Sequence, residues 1–85
     1  MTVERAIELQ AQSWTLLAEE KLESASSTCR EALQLMECTD GENSPDVANL
    51  LNDLAEIEQE RQNFVDALAL AERARSVLNV PTHVG

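Results

Sequence analysis

Apolar residues recur at helical spacing in four successive stretches of the chain, separated by short polar breaks. Val3, Ala6, Ile7, Leu9, Trp14, Leu16 and Leu17 come first, and at about 100° per residue they cover half the circumference of a helix running to Glu19 or Glu20. Thr2 is placed to cap it. Lys21 marks a turn. Leu22, Ala25, Cys29, Ala32, Leu33 and Met36 then make a narrower stripe, with Ser24, Ser27, Arg30 and Glu31 outside it. Ser44, Pro45 and Asp46 read as the start of a third helix: a hydroxyl N-cap, a proline at the first helical position and an acid at the positive helix end. Val47, Leu50, Leu51, Leu54, Ala55 and Ile57 form its apolar face. Gln62 and Asn63 break that pattern. Asn63 can cap a fourth helix, with Asp66 in its first turn and Phe64, Ala67, Leu68, Ala71, Ala74 and Leu78 as its stripe. Pro81 stops that helix.

Shifting the sequence by 42 residues lays the first hairpin on the second. Ala6 meets Ala48, Leu9 meets Leu51, Ala25 meets Ala67 and Ala32 meets Ala74. Ser13 meets Ala55, Leu22 meets Phe64 and Met36 meets Leu78. The pattern predicts an all-α domain over 1–85: two stacked antiparallel helix–turn–helix repeats, at about 2–38 and 44–79. Thr39 to Asn43 is the linker, with Gly41 as its breaker, and 80–85 is a tail.

Leu51, Leu54, Ala55, Phe64, Ala67 and Ala74 resemble the tetratricopeptide repeat, a helix–turn–helix unit whose small residues allow close packing. Gly41 to Ala55 resembles more specifically the repeats of kinesin light chains, with a Gly, a Pro, a Val-Ala pair and a Leu-Asn-Asn-Leu-Ala run in this order. Ser44 stands where that pattern has His, Asp53 where it has the second Asn, and Glu58 where it has Tyr. The 42-residue offset exceeds the common length of about 34 and suits this longer variety. The resemblance implies an α-solenoid fragment.

Arrays of this family bind extended or helical peptides in a concave groove lined by the first helix of each repeat. Carried over residue by residue, the later repeat offers Asn49, Asn52, Asp53, Glu56, Gln59 and Glu60. The first repeat offers Ile7, Gln10, Trp14, Leu17 and Ala18. One end of such a groove is acidic and the other apolar. The family variants that clamp a C-terminal carboxylate need Lys and Arg there, and this groove lacks them. A lone Trp is more often core than ligand contact. The width of the first apolar face weighs the other way: Leu9, Ser13 and Leu16 can pack on the second helix, which leaves Ile7, Trp14 and Leu17 for something else to cover.

Composition narrows the partners. Sixteen acids against six bases give a net charge of −10, so nucleic acid and an anionic membrane surface are both disfavoured. The expected partner is a protein or peptide with Lys or Arg beside a bulky apolar anchor. Cys29 falls on an apolar stripe and Cys38 on roughly the opposite side, so they do not bridge. With no secretory signal or membrane-length apolar run, a reducing, cytoplasmic compartment is expected.

Catalytic and metal chemistry finds little to work with. Asp40, Glu42, Ser44 and Asp46 alternate as in a calcium loop, but Pro45 sits where such a loop needs Gly and Leu51 where it needs Glu. His83 is the lone His, in the tail, and two separated Cys add no zinc set. An acyl-carrier reading fails because no Asp precedes any Ser. No Ser/His/Asp or Cys/His arrangement can be built from helical neighbours. Glu58 is the oddity, four residues after Leu54 and inside the apolar stripe. Either it is buried, with Arg61 or an Arg of the fourth helix as partner, or the stripe ends there and the side chain reaches water. The second is preferred.

The expectation is a non-enzymatic protein–protein interaction module with no cofactor. The alternative is a small acidic helical carrier or enzyme-associated domain that binds a small molecule. Two repeats are fewer than stacking usually requires, and the fourth helix is apolar over about half its circumference. A homodimer, or a fragment of a longer array, is therefore expected.

Overall fold

A computed structural model describes residues 3–41 and 43–78. The Thr2 cap, Glu42, Pro81, His83 and the tail lie outside the described residues. Four helices follow one another: α1 (Val3–Ala18), α2 (Leu22–Asp40), α3 (Pro45–Glu60) and α4 (Phe64–Leu78), with no strand among the described residues. α1 packs on α2, α3 on α4, and α2 on α3, giving two helix–turn–helix units stacked side by side.

The two turns are made alike. Glu20 and Gln62, 42 residues apart, both take a left-handed backbone, φ 64° and 68°. Around Gln62, its N–H donates to Gln59 O and the Asn63 N–H reaches back to Glu58 O. Around Glu20, its N–H donates to Leu17 O and that of Lys21 to Leu16 O. This paired closure consumes helix-end carbonyls that would otherwise lack partners. The next helix starts at once, with Lys21 O accepting from Ala25 and Asn63 O from Ala67.

α3 begins as expected, with Ser44 Oγ accepting 3.1 Å from the Val47 N–H. The break between hairpins is shorter than the sequence suggested. Thr39 and Asp40 belong to α2, because neither breaks a helix and Thr39 Oγ1 donates to Leu35 O at 2.8 Å. Gly41, at φ 87°, ends it.

All four identical pairs of the 42-residue shift are buried: Ala6 and Ala48, Leu9 and Leu51, Ala25 and Ala67, Ala32 and Ala74. The core lies between α2 and α3, where Cys29, Met36, Val47, Leu50, Leu54 and Ile57 are almost wholly enclosed. Alanines there let the helix axes approach closely. Cys29 is buried and Cys38 exposed, and both are free thiols.

Candidate functional site

α1 and α3 are linked by a side-chain hydrogen bond between the hairpins. Gln10 Nε2 donates to Asp53 Oδ2 at 2.8 Å, and both residues are half-buried. These two groove candidates therefore satisfy one another first. On α1, Ile7 and Trp14 flank Gln10, and each leaves 52% of its surface exposed. Leu17 is different: it packs partly against the core, so it does not need the outside cover its spacing implied. On α3, Asn49, Asn52, Glu56, Gln59 and Glu60 are all exposed. The result is an apolar pair on one helix beside a polar, acidic face on the other.

Glu58 contradicts the preferred sequence reading. It is 0% exposed. Ser26 Oγ donates to Oε2 at 2.5 Å and Arg30 Nη2 to the same oxygen at 3.1 Å. Arg61 Nη1 lies 3.2 Å from both carboxylate oxygens, and Asn63 Nδ2 donates to Oε1 at 2.8 Å. The stripe does not end at Glu58; it passes under α2, and polar donors are gathered to meet it. Arg61 was foreseen. The second arginine comes from α2, not α4, and Asn63 gives its side-chain nitrogen to Glu58 while its backbone carbonyl starts α4. Burial pushes the Glu58 carboxyl up, but the bonds from Ser26, Asn63 and Arg30 and the Arg61 charge outweigh it, and the net direction is down.

Sequence reasoning missed Ser26 and Arg30 because both stand at the polar margin of the α2 stripe. Their spacing was the available signal. Four residues apart, they share one side of α2, and Ser26 Oγ also accepts from Arg30 Nε at 3.3 Å. Cys29, next to them, is pushed up to about 12, mainly by burial and then by the Asp53 charge, so it is a packed thiol and not a nucleophile.

Over Glu58 lies an open polar depression of about 550 Å³, with Arg30, Arg61 and several hydroxyls around it. The carboxylate beneath is fully engaged by protein donors. None of the described helices is long and apolar enough to cross a membrane.

Paired helices, stacked with small residues at the contacts and closed by the same turn twice, define a helical-repeat protein. The sequence model of the tetratricopeptide repeat matches residues 14–79, most of the chain, and the chain belongs to that family. The kinesin-light-chain-type reading of Gly41 to Ala55 is consistent with this match. The family is one of protein–protein interaction modules. Comparison with curated proteins and with solved structures gives no match.

Proposed function

We propose that this chain is a non-enzymatic, cytoplasmic interaction module whose α1–α3 surface takes a peptide or helix bearing Lys or Arg beside a bulky apolar anchor. The observation that carries this is the exposure of Ile7 and Trp14 next to the Gln10–Asp53 bridge, with Glu56 and Glu60 open on the adjoining helix. An aromatic half out of water at a seam between helices is the usual kind of anchor site for a partner. The acids steer a basic ligand and choose it, while burial around Trp14 supplies most of the affinity. The groups with shifted titration, Glu58 and Cys29, are internal and occupied, which argues for a binding surface rather than a small-molecule site.

A peptide display library panned against the chain tests this. Selected peptides should combine a basic residue with a large apolar one, and binding should quench or shift Trp14 fluorescence. Trp14→Ala should cost about 2 kcal/mol or more of binding, whereas Glu56→Gln should chiefly flatten the salt dependence. Peptides of no common chemistry, bound with unchanged Trp14 emission, would overturn the proposal.

A further inference from the structure

The outer side of the α3/α4 hairpin holds an apolar hollow of about 270 Å³ lined by Ala55, Gln59, Phe64, Ala67, Leu68 and Ala71. Phe64 and Leu68 there are 61% and 60% exposed. Moved back by 42, these positions become Ser13, Leu17, Leu22, Ala25, Ser26 and Cys29. In the first hairpin that same surface is covered by α3. Ser26 bonds Glu58, Cys29 Sγ donates to Leu50 O at 3.7 Å, and Ala25 and Cys29 are wholly buried. The molecule thus contains an occupied version of its own open hollow. Its occupant is an amphipathic helix with Val47, Leu50, Leu54 and Ile57 fully enclosed.

Two exchanges alter what the open version accepts. Ser26 and Arg30, which receive the Glu58 carboxylate, become Leu68 and Glu72. A glutamate at that point of an incoming helix would lie between an apolar side chain and a second carboxylate, without the Ser26 and Arg30 donors and with only those its own segment brings, as Arg61 and Asn63 do for Glu58. A lysine would rest its stem on Leu68 and carry its ammonium to the exposed Glu72.

Neither α1 nor α3 of a second copy fits in that register. Arg5, Glu8, Gln12 and Thr15 stand on α1 where α3 has Val47, Leu50, Leu54 and Ile57, and all four are exposed. This stretch of α1 is polar and charged, so a head-to-tail stack of copies would bury the Arg5–Glu8 pair and the Gln12 amide against an apolar hollow. α3 carries the disfavoured glutamate.

We propose that the outer α3/α4 face docks an amphipathic helix of a partner polypeptide in the register of α3, with aliphatic residues at the positions of Val47, Leu50, Leu54 and Ile57 and a Lys or Arg at the position of Glu58. This surface lies on the α4 side of α3 and shares only Gln59 with the α1–α3 groove candidates, so it does not depend on that reading.

The probe is a fluorescein-labelled peptide of residues 44–62 carrying Glu58→Lys, titrated against the full chain beside the unsubstituted peptide. The lysine peptide should bind about tenfold or more tightly. Glu72→Arg in the protein should reverse the order, and Trp14→Ala should leave it unchanged. Glu72 is exposed, so this variant should keep the fold, which circular dichroism and the unfolding midpoint verify. Absence of binding, equal affinities, or a preference indifferent to Glu72→Arg would overturn the proposal. Sedimentation equilibrium of the chain alone decides the competing occupant. A monomer at high micromolar concentration supports a separate partner, and a dimer abolished by Leu68→Asp puts a second copy on this face and overturns it.

Discussion

Arg30 on α2 and Glu58 on α3 meet at 3.1 Å across the boundary between the two hairpins, the arginine side chain half exposed and that of the glutamate wholly buried. With Ser26 from α2 and Arg61 and Asn63 from the end of the second hairpin's first helix and its turn, one anionic group ties three segments together. The arginines keep contact with water, so the arrangement avoids most of the desolvation cost of a fully sunken ion pair.

Removing the carboxylate should therefore cost more than removing either arginine. Glu58→Ala takes the acceptor from Ser26 and Asn63 and opens a void, and about 2–3 kcal/mol of stability should be lost. Arg30→Ala should cost about 1 kcal/mol or less, because its side chain is half exposed and three other donors remain. Urea unfolding followed by circular dichroism measures both.

The same cluster sets an acid limit. The Glu58 carboxyl is held below its ordinary value of 4.5 in the folded chain, so on acidification the unfolded state takes up this proton first. The contribution of Glu58 is then present above that value and is lost as pH falls through and below it. Unfolding midpoints measured from about pH 7 to about pH 3 should decline more steeply for the natural chain than for Glu58→Gln.

Ala25 and Ala67 sit at equivalent helix contacts, the first with no exposed surface and the second nearly buried. Ala25→Leu should overpack the α2–α3 contact and cost about 1–3 kcal/mol. Ala67→Leu borders the open hollow and should cost less. Thermal melts of the two variants give the ranking.

The two thiols should separate cleanly by reactivity. Cys38 is exposed, while Cys29 is buried, pushed up to about 12 and turned toward the Leu50 carbonyl. Iodoacetamide at neutral pH should label Cys38 in the native protein and Cys29 only after unfolding. Mass spectrometry after brief labelling reads the difference, and native labelling of Cys29 would contradict its enclosure between α2 and α3.

Several features were open to reading from residue order because they depend on near neighbours. Ser44-Pro45-Asp46 names a helix start through the backbone groups it satisfies within one turn. Val47, Leu50, Leu54 and Ile57 name a buried face by spacing alone, and all four are wholly enclosed. The alanines at 25, 67, 32 and 74 exposed the repeat. Leu17 shares a side of α1 with Ile7 and Trp14 by spacing yet packs partly against the core, because helical angle says which side a residue occupies but not how far a neighbouring helix extends over it.

Helix positions, hairpin pairing and the repeat were thus written in local periodicity, where each element's apolar stripe and stop signals are properties of a few consecutive residues. The fate of Glu58 was not. Its burial depends on Ser26 and Arg30, 32 and 28 residues away, arriving over the α3 stripe when the second hairpin stacks on the first. Gln10 and Asp53 likewise become partners only at that seam, 43 residues apart in sequence. A carboxylate inside an apolar stripe is costly or favourable according to the donors that surround it, and those donors are assembled only by packing between hairpins.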